Sequence, residues 1–247
     1  MAALVLGLCG LAASAAGVVS QLLPRHFSAV QQRQIMAWET ARRWRTTPAG
    51  RIFPSAVTYQ LPGSAVNSVR ELALTARRLG IARQASCGAA TDPAAARILD
   101  RFGCQAILRA TYVDSTGSMI AIVGVAVLPS SATAAAAAAD LAGGRAAGGA
   151  PGLPARQLAG VQAVAFPRTV ASAFRDPQRQ LAWAVSSGPY VIMSAAGYAD
   201  GRPRVPLSSD RYTSDEMSSF ADGVADAIGV PLGSLPRVPR CPGAPGC

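Results

Sequence analysis

The sequence predicts an α+β protein: an N-terminal membrane helix followed by an α/β sandwich with two hairpin–helix units and a mainly antiparallel sheet. Three observations carry that expectation. The chain opens on an uncharged stretch, MAALVLGLCGLAASAAGVVSQLLP. Paired apolar runs then occur twice, QAILRATYVD with GSMIAIVGVAVLP around Ser115-Thr116-Gly117, and RQLAWAVSS with YVIMSAAGYA around Gly188-Pro189. Each pair leads into a helical pattern, SSATAAAAAADLA in the first case and DRYTSDEMSSFADGVADAIG in the second. Strand pairs closed by turns and followed by helices bury their apolar faces as layers around a sheet.

Residues 1–24 are long enough to cross a hydrocarbon core of ~30 Å. Met1 leads directly into apolar residues without a basic n-region, which favours an uncleaved anchor over a signal peptide cut near Ala13-Ser14-Ala15. Residues 25–50 read as a basic juxtamembrane helix, with Val30, Ile35, Trp38, Ala41 and Trp44 on one face. Arg42, Arg43, Trp44 and Arg45 suit an anionic lipid surface, where indole and guanidinium groups are both accommodated. The alternative is that Trp38 and Trp44 pack into the core of the following domain.

Residues 51–230 form the expected α/β domain. A short strand is predicted at Ala56–Gln60. Ser68 and Glu71 read as a capping box opening a helix through Arg78, although Leu72, Leu74 and Ile81 leave a strand open. Between residues 91 and 103, Asp92 suits a cap, Pro93 the first helical position and Gly103 a left-handed exit. MIAIVGVAVL is too short to span a bilayer and suits a buried strand. Residues 143–157, rich in Gly, Ala and Pro, read as a flexible loop, and VQAVAFP as a strand. In the last helix Thr213 and Glu216 form a predicted capping box, with Met217, Phe220, Val224 and Ile228 as the apolar face. The Pro-rich tail, 231–247, reads as extended.

The segments AWETARRWRTTPAGRIFP and RRLGIARQASCGAATDPAAARILDRFGCQAILRATYVDSTGS resemble an uncharacterised family of membrane-anchored envelope proteins of high-GC actinobacteria. The two hairpin–helix units are also loosely similar, in topology alone, to the PsbP/Mog1-like α/β sandwiches of envelope lipoproteins. These resemblances imply a membrane-anchored envelope domain and no particular activity.

All 23 basic residues are arginine, and His26 is the one histidine. A P-loop lysine, a Schiff-base lysine and a Ser-Lys dyad are thereby excluded. His26, next to the apolar stretch, is badly placed for a catalytic triad. No cofactor or metal is expected. Nucleic acid is not expected as a partner either, since aromatic residues are only 6% of the chain and no basic stripe with stacking rings is evident.

Cys87 and Cys104 flank the 91–103 helix. With no histidine or CxxC neighbour to activate a thiol, and no usual zinc spacing, the preferred reading is a disulfide closing that helix onto the following strand. Cys241 and Cys247 can pair with each other or with a partner. A disulfide places the domain outside the cytosol. Charge argues the other way: Arg25, Arg33, Arg42, Arg43 and Arg45 follow the apolar stretch and nothing basic precedes it, which by the positive-inside rule puts the domain in the cytoplasm. A basic leader upstream of the chain as written would reconcile the two.

The expected function is a membrane-anchored, single-pass protein whose extracytoplasmic domain has a non-catalytic binding, sensing or assembly role in the cell envelope, beside anionic lipid and with an envelope protein as a candidate partner. Two rivals stand. One is a carboxylate-dependent envelope hydrolase, requiring two of Asp100, Asp114, Asp200 and Asp210 to meet in a cleft. The other is a cytoplasm-facing membrane partner protein.

Overall fold

The computed structural model describes residues 27–61, 72–148, 160–204 and 211–236. The chain is α+β. Helix α1 (Ala29–Thr46) and a short α2 (Ala49–Ile52) precede strands β1 (Ala56–Leu61) and β2 (Leu72–Ile81). Helices α3 (Cys87–Ala90) and α4 (Pro93–Arg101) lead to the hairpin β3 (Ala106–Val113) and β4 (Met119–Val127), then to α5 (Ser131–Gly148). The second hairpin, β5 (Arg179–Ser187) and β6 (Tyr190–Tyr198), is followed by α6 (Arg211–Gly233). The six strands form one antiparallel sheet in the order β1-β2-β3-β4-β6-β5. The two hairpins thus lie side by side, joined where β4 pairs with β6.

Side chains alternate across a strand, and here both faces are buried. On one face Val123, Val125 and Ile192 pack against Phe220, Val224 and Ile228 of α6. On the other, Ile107, Ile122 and Met193 pack against Leu99 of α4 and Ala134, Ala137 and Leu141 of α5. The uninterrupted apolar runs of β4 and β6 follow from this double burial, as a strand with one wet face would alternate. The helices that follow the two hairpins go to opposite faces.

Several expectations are corrected. Leu72–Ile81 is strand, not helix: β2 is bonded on both sides, to β1 and to β3, and only its Ala76 is fully buried. Ser68 lies outside the described residues, as do Glu71 and His26. VQAVAFP forms no strand, only a bridge between Val161 and Thr91. The segment lies over the sheet face, and its polar groups are met from elsewhere: Gln162 N–H donates to Ala90 O, Ala163 N–H to the Asp176 carboxylate, and Thr111 Oγ1 donates to Val164 O. Glycines make room for it. A Cβ on Gly124 would stand 3.0 Å from the Val161 side chain, and one on Gly80 would strike the Phe166 ring. Helix α6 starts at Arg211, so Thr213 falls inside its first turn rather than at a cap, and it runs past position 230 to Gly233 through Pro231. Helix α5 likewise continues to Gly148, into the expected loop.

The membrane helix expected over residues 1–24 lies outside the described residues. Among the described residues no helix is long and apolar enough to cross a membrane.

Candidate functional site

Cys87 and Cys104 are joined in a disulfide with Cα atoms 6.3 Å apart. Cys87 opens α3 behind the Ser86 cap, whose hydroxyl accepts from Ala89 N–H. Cys104 follows the left-handed Gly103 (φ 75°) that ends α4, and its N–H donates to Leu99 O. The bridge therefore fastens α3, buried against Leu99 and Ile107, to the entry of β3. Cys241 and Cys247 lie outside the described residues.

The cluster Arg42, Arg43, Trp44 and Arg45 divides between surface and interior. Arg43 Nη1 donates to the carbonyls of Pro231, Leu232 and Ser234 at 2.6–2.9 Å. It caps the C-terminal end of α6, where orphan carbonyls and the helix dipole both favour a cation. Trp44 packs on the α6-side core, and its backbone N–H donates to Tyr190 Oη. Burial pushes the Tyr190 phenol up to about 12. Arg42 and Arg45 remain outside, stacked over Trp38 and Trp44 at 4.7 and 4.6 Å. Ile35 is buried, whereas Val30, placed on the same face by periodicity, is 54% exposed.

Among the described residues, two adjoining hollows that share Gly117 and Val170 form a groove at the end of the sheet bearing the β3–β4 turn. The first, about 490 Å³, is lined by Ser118, Met119, Tyr198, Asp200, Arg202 and Glu216. The second, about 500 Å³, is lined by Arg77, Leu79, Val113, Arg168 and Thr169. The end of α1 docks at the opposite end of the sheet, since Tyr190 pairs with Val127 and Tyr198 with Met119.

Asp114 builds the rim. Its buried carboxylate accepts from Met119 N–H at 2.7 Å and Thr116 N–H at 3.0 Å, and from the Thr116 and Ser118 hydroxyls. That closes the β3–β4 turn and places Gly117 (φ 79°) and Ser118 on the groove. Asp200 makes a similar turn, accepting from Arg202 N–H at 3.0 Å and Nε at 2.7 Å. The Arg202 hydrogen bonds hold its carboxyl below the usual range, and Arg202 lies 4.4 Å over the Tyr198 ring. Glu216, read from sequence as a capping residue, instead lines the groove. Burial, then the neighbouring Asp114 charge, push its carboxyl up. Beneath it, Tyr59 is buried against Phe220 and its Oη has no close hydrogen-bond partner, Ser115 offering only a weak one; desolvation, with Asp114 and Glu216 adding to it, raises the phenol to about 12.

Of the four aspartates considered for acid–base work, only Asp200 lines the groove. Asp114 is spent on its turn, Asp100 is exposed on α4, and Asp210 lies outside the described residues. Sequence reasoning missed Arg77, Arg168 and Glu216. The one available signal was Arg77-Arg78, which in a strand point to opposite faces: Arg78 donates to Phe53 O on the α6 side, leaving Arg77 to the groove. It also missed the buried Asp92–Arg179 pair.

No protein family, curated protein or solved structure matches this chain.

Proposed function

We propose that the chain is a membrane-anchored envelope protein: residues 1–24 form the anchor, and the α/β sandwich stands outside the cytoplasm in a non-catalytic binding, sensing or assembly role. The observation that carries this reading is the Cys87–Cys104 disulfide. Disulfides persist in oxidising compartments and are uncommon in the cytosol. The family resemblance to actinobacterial envelope proteins belongs to the same proposal. A binding role is supported by the groove, which is shallow and open but brings charged groups together with apolar ones, as small-molecule sites do. Arg42 and Arg45 lie at the end of the sheet opposite the groove, so contact with anionic headgroups there leaves the groove open.

Thiol mapping on intact cells tests the address, combined with external protease. The expected result is that Cys87 and Cys104 label only after reduction and that the domain is digested from outside. Free thiols in protein trapped from its native cell, with the domain protected, would transfer the chain to the cytoplasm-facing reading.

One observation favours the hydrolase reading as a second. Asp200 and Glu216 line the same hollow, and their surroundings push them in opposite directions. Of the four aspartates expected to supply such a pair only Asp200 is here, so the reading needs Glu216 as its second carboxyl. Turnover of an envelope glycan or ester that Glu216→Gln abolishes would decide for this reading over a binding role.

A further inference from the structure

The hollow on the Arg77 side differs in charge from its neighbour. There, Arg202 is answered by Asp200 at 2.5 Å. Here, among the described residues, no carboxylate lines the hollow, and Arg77 and Arg168, both exposed, have no ion-pair or hydrogen-bond partner. Two unanswered guanidinium groups from separate elements, β2 and the loop after Val161, border one concave space.

Arg168 is also the one non-glycine among the described residues with positive φ, 63°. That conformation is unfavourable for an L-residue with a long side chain. The turn enforces it: Thr169 Oγ1 donates to Phe166 O and accepts from Ala171 N–H, while Ser172 N–H donates to Thr169 O. A glycine would fit this backbone more easily but would bring no guanidinium to the hollow. Strain kept at a cleft is a reason to ask what the side chain does there.

Besides Gly117 and Thr169, whose hydroxyl is engaged within its own turn, the lining is apolar: Leu79, Val113 and Val170, the last 48% exposed. We propose that this hollow binds a small ligand bearing an oxyanion, a carboxylate or a phosphate monoester, on an apolar body. The oxyanion is held by Arg77 and Arg168, and the apolar part covers Leu79, Val113 and Val170. Guanidinium is the group of choice for planar, charge-assisted recognition of such anions. A metal cation is disfavoured by the same charges. The volume, about 500 Å³, is that of a small-molecule site. The assignment rests on the reading of this domain as a binding domain and names the class of its ligand.

The test uses the full-length, oxidised protein in phosphatidylcholine nanodiscs, titrated with hexanoate, hexyl phosphate, hexanol and inorganic phosphate by ligand-observed NMR. Saturable binding of hexanoate or hexyl phosphate is expected, with the two arms separating carboxylate from phosphate ligands. Hexanol and inorganic phosphate should each bind at least about tenfold more weakly than the better anion, the loss of one charge-assisted hydrogen bond or of the apolar contact. Arg77→Gln and Arg168→Gly should each weaken binding by about tenfold or more on the same grounds. Arg168→Gly relieves the positive φ, so its loss of binding is expected in a protein at least as stable as the parent. No saturable binding of either anion overturns the proposal, as does hexanol binding as tightly as the anions or either variant binding like the parent. So does a signal that appears only when phosphatidylglycerol replaces phosphatidylcholine in the disc, since that is attachment to a bilayer surface. These outcomes are independent of cellular address: a domain shown to be external that binds no anion loses only its ligand, and a cytoplasmic one that binds keeps it.

Discussion

Asp92 and Arg179 offer a direct measure of what holds the two halves of the sequence together. The Arg179 side chain is 3% exposed and that of Asp92 14%, and they meet through two hydrogen bonds, Nη2 to Oδ1 at 2.7 Å and Nη1 to Oδ2 at 2.9 Å. Gly160 N–H donates to the same carboxylate at 3.0 Å, and Arg179 Nη1 also reaches Val161 O at 2.8 Å. The pair thereby fastens the start of α4 to the start of β5 and holds residues 160–161 beneath it. Removing one partner of a buried pair costs ~3–5 kcal/mol, because the other charge is left without water or counter-charge. Asp92→Ala belongs at the lower end, near ~3 kcal/mol, since Arg179 keeps Asp176, whose carboxylate stands 3.2 Å from Nε. For a domain of this size that lowers Tm by about 6–12 °C. The double variant Asp92→Ala/Arg179→Met replaces both charges with apolar or small groups and should cost less than the two single changes added, by ~2 kcal/mol or more. Arg101–Asp140 is the control. Its N–O distance is also 2.7 Å, but the side chains are 62% and 45% exposed, so Arg101→Ala should cost below ~1 kcal/mol. Urea unfolding of the oxidised protein reads all four variants. If Arg101→Ala costs as much as Asp92→Ala, or if the coupling falls below ~0.5 kcal/mol, burial is not what gives the Asp92–Arg179 pair its strength.

Other outcomes follow from the same structure. Replacing Cys87 and Cys104 by alanine opens a loop with sequence separation 17 and should destabilise the protein by ~3 kcal/mol on chain entropy; an unfolding midpoint unchanged between oxidised parent and variant would refute it. Tyr59→Phe should be neutral or stabilising by up to ~1 kcal/mol, since its buried Oη has no partner closer than a weak Ser115 contact. Tyr190→Phe should cost ~1–2 kcal/mol, since Oη donates to Thr40 O and accepts from Trp44 N–H, anchoring α1; equal effects in urea unfolding would refute the contrast. The folded-state pKa of Glu216 lies above its unfolded value, so the folded protein holds the extra proton. That contribution is fully present below about pH 4.5, the ordinary glutamate value, and is lost as pH rises through the folded pKa. Glu216→Gln should therefore flatten the fall in stability above that pH and stabilise the protein at neutrality, and an unaltered pH profile would show that Glu216 is not perturbed by burial.

What was legible in the sequence is what depends on local pattern. The limits of β5 and β6 follow from continuous apolar runs around Gly188-Pro189, and the exit of α4 from Gly103. Segment 161–167 shows where pattern misleads: its apolar spacing suits a strand, yet it lies across the sheet face, with Val161 buried and Gln162 to Phe166 half-buried, and joins neither edge. β2 failed for the converse reason. Ser68 and Glu71 suggest the opening of a helix, and with only Ala76 fully buried the alternation of Leu72 and Leu74 is too weak to decide for the strand.

The candidate site was illegible because pairing of charges is decided by the tertiary fold. Arg42, Arg43 and Arg45 are equivalent in sequence, yet Arg43 turns inward to the carbonyls of a helix end 188 residues or more away, while its neighbours lie on tryptophans. Arg179 is answered by Asp92 across 87 positions. Composition alone gives an excess of ten positive charges and no indication of which arginines are spent on structure. Once Arg43, Arg78, Arg179 and Arg202 are assigned to carbonyls and carboxylates, Arg77 and Arg168 stand apart: they share a concave hollow, and neither has a protein partner among the described residues. Exposed Arg33, Arg51 and Arg83 also lack a side-chain partner among the described residues, so it is the shared hollow, and not the want of a partner alone, that points to a ligand.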